Sequence, residues 1–220
     1  MDSKENWKAI HTGEQKTGFL CRKSAYDSKS KLITWTTLFS FQSESGRLQK
    51  KRSTLVTSGL PDPKWKQFQY EEDEKQICDL SLEGLSMQGT QGEKFIVRAI
   101  VKNTWPSLGT FMRVRALPRF KGAEFSFGLL RERDLYLDRN AKLVSVGNQE
   151  RETPGGMQTL WLIEEHFGGK KQNGYWLNLH AEIVVFQSPS FTEFRVPNKS
   201  AALEGLPGEI TSFAETLTSE

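Results

Sequence analysis

Three groups of residues in this 220-residue chain have the types and spacing to do chemistry. The first lies in residues 122–133, where Phe125, Phe127 and Leu129 alternate beside Glu124, Arg131, Glu132 and Arg133. Residues two apart on a strand share a face, so the large side chains line one face. Glu124 then falls on the other face unless a bulge intervenes. An inward carboxylate or arginine at a barrel mouth holds the polar head of an otherwise apolar ligand; on an outer face the same charges form surface ion pairs.

The second group is basic. Arg47, Lys50, Lys51 and Arg52 form one stretch; Arg113, Arg115, Arg119 and Lys121 form another, with Phe111 and Phe120 nearby. If residues 111–117 are a strand, Arg113 and Arg115 share a face about 7 Å apart, a spacing that suits tracking of a nucleic-acid backbone with bases stacked on the aromatics. It equally suits a solvated sheet face guarded by charge. The chain carries 30 basic and 27 acidic residues, a net charge of +3. Dedicated nucleic-acid binders carry a clustered excess, so a nucleic-acid partner is not favoured.

The third group, His11, His166 and His180, is scattered through the chain. Glu164-Glu165-His166 lacks the HExxH spacing of a zinc site, so no metal and no cofactor are expected. No Gly-x-Ser-x-Gly turn marks a serine nucleophile. Gly89-Thr-Gln-Gly92 lacks the Lys-Ser/Thr of a phosphate loop and reads as a hairpin turn. The catalytic residues, if any, are unknown from sequence. Cys21 and Cys78 are the only cysteines, which reads as a reducing compartment with two buried thiols.

The elements that must position these residues are strands. Tyr175, Leu177, Leu179, Ala181, Ile183 and Val185 point one way, while Trp176, Asn178, His180 and Glu182 point the other. Ile33, Trp35, Thr37, Phe39 and Phe41 repeat the pattern, with Arg47 onward returning as the partner strand after a turn at Ser43-Glu-Ser-Gly46. Residues 77–87 flip phase at Gly84, which predicts a bulge. The apolar run 157–167 reads as a strand buried on both faces or a short helix. Residues 133–137 read as a strand ended by a turn at Asp138-Arg-Asn140. Residues 1–18 read as polar, with Trp7 and Ile10 anchoring a short helix or turn.

Nine to eleven strands joined by short turns predict an antiparallel sheet. So many strands must close or fold over, giving an all-β antiparallel barrel, or alternatively a two-sheet β-sandwich. A single β domain is expected over residues 1–199, with a loosely ordered tail over 200–220. The 14 Phe and 6 Trp supply bulk for its core. No 18-residue apolar run predicts a membrane span, and no signal or transit peptide shows at the start. A cytoplasmic location is expected, or the plastid stroma if a transit peptide has been removed.

Asn6-Trp7-Lys-Ala-Ile-His-Thr-Gly13-Glu-Gln-Lys-Thr-Gly18-Phe19 resembles the "W … G-x-W-x-G-x-F" opening of lipocalin-like (calycin) proteins of cyanobacteria and plastids, the group that includes the phycobiliprotein lyases. Gln15 stands where that opening has tryptophan. Gly122-Ala-Glu-Phe125, Arg131 to Asp138, Lys142 to Val146 and Gln149-Glu-Arg151 look like the group's later strands. The resemblance implies an antiparallel β-barrel, and for the lyases among them an open-chain tetrapyrrole as ligand.

These observations predict a soluble β-barrel that binds a hydrophobic or amphipathic small molecule, tetrapyrrole- or lipid-like, in a chaperone- or lyase-like role. Trp35, Phe39, Phe41, Phe125, Phe127 and Tyr175 would line its cavity, and Glu124 and Arg131 would meet the polar end. Two alternatives stand beside it. One is a β-sandwich interaction protein, viral movement- or matrix-like, binding single-stranded nucleic acid or a protein partner. The other is a small-barrel cyclase or isomerase.

Overall fold

Alternation of apolar and polar residues dictates strands, and strands with no long helices between them pair with their sequence neighbours. A computed structural model describes residues 4–43, 45–59 and 62–216 and shows such a sheet. Its strands are β1 (Lys4–Thr12), β2 (Gln15–Asp27), β3 (Leu32–Gln42), β4 (Leu48–Ser58), β5 (Trp65–Glu72), β6 (Lys75–Glu83), β7 (Ser86–Gln91) and β8 (Lys94–Ala99). After these come β9 (Thr104–Pro106), β10 (Glu124–Leu130), β11 (Leu137–Thr153), β12 (Gly156–Phe167), β13 (Lys170–Leu177), β14 (Ile183–Gln187) and β15 (Thr192–Val196). Three short α-helices, α1 (Phe111–Ala116), α2 (Lys199–Leu203) and α3 (Gly208–Glu215), and a 3-10 turn at Ser107–Gly109 accompany them.

All fifteen strands form one sheet in the order β8-β7-β6-β5-β4-β3-β2-β1-β15-β14-β13-β12-β11-β10-β9. Every pairing is antiparallel except β9 with β10. The chain is thus all-β, but its sheet is open: the order ends at β8 on one side and β9 on the other, and among the described residues no ladder joins them. These two edges are consecutive in sequence, so the chain crosses the seam between them at residues 100–103. Arg98 bridges it by donating to the Leu135 carbonyl at 2.5 Å, and Trp65 Nε1 donates to the Thr104 carbonyl at 2.7 Å.

The sheet curls on itself. Leu55, Phe68, Leu80 and Met87 from β4–β7 share one buried cluster with Leu129, Leu143, Ile163 and Tyr175 from β10–β13. On the outer face of β1–β3, Trp7, Phe19, Cys21 and Leu38 form a second cluster with Ala202, Ile210 and Ala214 of the C-terminal helices. Where β2 and β3 cross, Gly18 pairs with Phe41. A Cβ on Gly18 would come within 2.1 Å of the Ser40 carbonyl oxygen, so only glycine permits this approach.

Several expectations are corrected. The N-terminal residues form the hairpin β1–β2, because Trp7, Ala9, Phe19 and Cys21 bury an outer face that α2 and α3 cover. Residues 111–116 are helical, because Phe111, Met112 and Val114 then point together into the core. Arg113 and Arg115 therefore do not make a phosphate-spaced row on a strand. Gly84, at φ +62°, turns the β6–β7 hairpin, with Glu83 facing Ser86 across it. Residues 175–185 break at Asn178, whose side chain accepts from His180 N and Glu182 N, and Ala181 sits at φ +59°. Leu135, at φ +54°, turns the chain before β11, so residues 138–140 lie inside a strand.

The run at 157–167 is a strand buried on both faces: Ile163 and Glu165 inside, Leu160 and Leu162 in an outer cluster with Trp176 and Val185. In place of a loose tail, residues 199–215 hold two helices, the first capped by Asn198 Oδ1 accepting from Ala201 N. Glu44 of the predicted turn at 43–46, Leu60, Pro61, and residues 1–3 and 217–220 lie outside the described residues.

Candidate ligand-binding cavity

Curling leaves space where the inner face is not filled. A cavity of about 470 Å³ lies between β2–β4 on one side and β12–β15 on the other, with α1 closing it. Two smaller recesses adjoin it. One, of about 230 Å³, shares Gln49, Lys51, Ser107 and Arg131 with it; the other, of about 180 Å³, shares Lys8, Arg22, Phe111 and Ile183.

One wall is apolar. Leu20, Phe39 and Phe41 project from β2 and β3, and Phe186 and Phe191 from the β14–β15 hairpin. The Phe39 ring lies 5.1 Å from Phe41 and 5.4 Å from Phe191, which in turn lies 5.9 Å from Phe186. Phe191 is held there by its turn: Ser188 N donates to the Phe191 carbonyl at 2.9 Å, and Phe191 N donates to Ser188 Oγ at 3.1 Å.

The other wall is polar and built. Glu165, 2 % exposed, accepts at Oε2 from Asn173 Nδ2 at 2.6 Å and from the Tyr175 hydroxyl at 3.0 Å. Tyr175 also meets Thr110 Oγ1 at 3.1 Å. Glu165 Oε1 is buried without a hydrogen-bond partner. Burial pushes the Glu165 carboxyl above its ordinary range, against the pull of these donors. Burial likewise raises the Tyr175 phenol.

Lys8 and Glu193 form an ion pair of 2.7 Å, both nearly inaccessible. Burial lowers the Lys8 ammonium, and Glu193 opposes the shift. Beside them Arg22 stacks on the Phe111 ring, 3.6 Å from its centroid, and donates through Nε to Thr37 Oγ1 at 3.2 Å. Desolvation pushes its guanidinium down to about 10, so it remains charged at neutral pH.

The residues expected at the site divide. Phe39, Phe41, Tyr175 and Arg131 line the main cavity. Arg131 also pairs with Asp134 at 2.5 Å. Trp35 lines the smaller recess, packs edge-on to Phe111 at 5.2 Å and donates to Thr57 Oγ1 at 3.1 Å. Three lie elsewhere. Phe127 is buried in the main core; Phe125 is half-buried under the Arg113 guanidinium at 3.9 Å; Glu124 is exposed and meets Lys142 at 3.2 Å. Glu132 is buried and fixes the chain after the seam, accepting from Ser107 Oγ and Leu108 N, each at 2.5 Å.

Sequence reasoning missed Lys8, Arg22, Glu165, Asn173, Phe186, Phe191 and Glu193. Glu165 left a signal, since it shares the inward phase of Trp161 and Ile163. Lys8 and Glu193 left none, because their meeting depends on β1 pairing with β15 from the far end of the chain.

The basic stretches are dispersed. Arg113 pairs with Asp62 at 2.9 Å, and Arg115 lines the smaller recess. Among the described residues no three His, Cys, Asp or Glu side chains gather as a metal site, and no helix is long and apolar enough to cross a membrane.

No protein-family model matches this chain, and no curated protein matches it. Among solved structures, a β-barrel-like protein of a domain of unknown function, DUF1849, from Brucella abortus is similar over 86 % of this chain and 94 % of its own. Its TM-score is 0.49 and its identity 10 %. None of these comparisons points to the phycobiliprotein-lyase group.

Proposed function

We propose that this protein binds an amphipathic, lipid-like small molecule in the cavity between β2–β4 and β12–β15. The observation that carries this reading is one space with two chemistries: four phenylalanine rings on one wall, and on the other a buried carboxyl with an unpartnered oxygen. A protein that needed only a packed core would fill such a space with apolar side chains, since an incompletely satisfied buried polar group costs about 1–3 kcal/mol. The volume of about 470 Å³ falls within the roughly 300–1,000 Å³ of small-molecule sites, which combine apolar walls with few polar groups.

Titration with N-phenyl-1-naphthylamine, a neutral fluorescent apolar probe, tests the reading. Saturable enhancement is expected in the parent. It should be lost in Ser190→Trp, which places a ring at the cavity from an exposed turn position. An absent or non-saturable signal, or one that Ser190→Trp leaves unchanged, rejects the cavity as the site.

A further inference from the structure

The cavity is graded along two paired strands. On β2, Arg22, Leu20 and Gly18 follow one another on the inner face; on β3 their partners are Thr37, Phe39 and Phe41. Each step of two residues is about 7 Å. A guanidinium thus stands at one end of a lane that becomes aliphatic one step on and aromatic after that, with Phe191 packed over Phe39 and Phe41.

The charges around this lane do not cancel. Lys8 is matched by Glu193 at 2.7 Å. Arg131 is matched by Asp134. Lys51 stands beside the middle of the lane, paired with Phe39 and 5.6 Å from its ring, within the field of Glu72 and Glu132. Arg22 has no carboxylate within 4.0 Å among the described residues, and only its Nε is engaged, leaving both terminal nitrogens without a protein hydrogen bond. Phe111 beneath it and Thr37 beside it hold the plane of the fork. Glu165 makes no ion pair with Arg22: its Oε2 accepts from Asn173 and Tyr175, and burial disfavours its anion.

We infer that the ligand is a long-chain carboxylate, with its head accepting two hydrogen bonds from the Arg22 terminal nitrogens and its chain lying along Leu20, Phe39, Phe41 and Phe191. A planar monoanion matches a guanidinium fork in shape. Its one negative charge also matches the one positive charge of Arg22, which a phosphate dianion would exceed. The inference rests on the cavity reading above and adds the head group to it.

The experiment displaces bound N-phenyl-1-naphthylamine with palmitate, 1-hexadecanol and methyl palmitate, which share one chain length. In the parent, palmitate should compete at least about tenfold better than the two neutral probes, the ratio given by one charge-assisted hydrogen bond of about 1.4 kcal/mol. Arg22→Gln should bring palmitate to the level of hexadecanol and leave hexadecanol unchanged; Arg22→Lys should recover part of the difference. The comparison of head groups in the parent needs no variant, so it stands even if Arg22→Gln does not fold. Equal competition by all three in the parent overturns the carboxylate head while leaving the cavity reading intact. A palmitate preference that survives Arg22→Gln overturns Arg22 as the residue that holds the head. Saturable probe binding that none of the three displaces overturns the long chain; no saturable probe binding at all overturns both.

Discussion

Tyr175 and Glu165 sit on adjacent strands, diagonal to each other and two residues out of register, and the phenol donates to the carboxyl at 3.0 Å inside a cavity rather than at its rim. Asn173 supplies the second donor to the same oxygen. Tyr175→Phe keeps the ring, which packs 4.9 Å from Phe186, and removes only the hydroxyl. Thr110 retains the Ser107 carbonyl as its acceptor at 2.9 Å. The variant should therefore fold normally and lose about 1–3 kcal/mol, the cost of leaving a buried carboxyl short of a partner. Urea unfolding reads it; an unchanged midpoint would mean that water in the cavity replaces the phenol at no cost.

The pH dependence of stability follows from the same carboxyl. Glu165 titrates above the ordinary 4.5 in the folded protein because burial penalises its anion. Between 4.5 and that raised value the folded state holds a proton that the unfolded chain has released, so the contribution is full below 4.5 and is lost as pH rises through the folded pKa. Glu132 acts in the same sense; His11, lowered from 6.5 by burial, acts in the opposite one. The difference between parent and Glu165→Gln isolates the group. The variant should gain on the parent steadily as pH climbs from 4.5, and a flat difference would show that Glu165 ionises freely when folded.

The interior ion pair gives a sharper contrast. Lys8→Met strands Glu193 in a nearly inaccessible site and should cost about 3–5 kcal/mol, because an uncompensated buried charge has neither water nor partner. Adding Glu193→Gln should return most of that loss, since the pair owes little net stability to its own attraction once both desolvation costs are removed. Thermal unfolding of the two variants decides it. A double variant as unstable as the single one would assign the cost to lost packing by the Lys8 methylenes instead.

How much of this was legible follows from the range of each signal. Alternation of period two is local, so the all-β class and the inward phase of Phe39 and Phe41 could be read from residues 33–41 alone. The helix at Phe111–Ala116 could not, because six residues with Phe111, Met112 and Val114 apolar satisfy either period; what decides is that the chain has just crossed the seam and must plug the interior. Glu165 was half legible, as a carboxylate in an apolar phase. Arg22 looked like any strand arginine until β3 and α1 supplied Thr37 and Phe111. The open sheet was not legible, since closure depends on how β8 and β9 meet and neither edge records its partner.

Cys21 lies beneath α3 with Trp7, Phe19 and Leu38, while Cys78 belongs to the inner core with Phe68 and Leu80. Burial pushes both thiols up to about 12, and the thiolate is the reactive form, so neither should react with a disulfide reagent at pH 8 in the native protein. The two differ in what opens them. Ile210, fully buried on α3, faces the Cys21 cluster. Ile210→Asp sets a carboxylate against that apolar face and should lift α2 and α3 away without disturbing the inner core, because the two clusters lie on opposite faces of the sheet. One thiol per chain should then label rapidly, and peptide mapping should place the label on Cys21. Equal labelling of Cys78 would show that the C-terminal helices hold the whole curl together rather than covering one face of it.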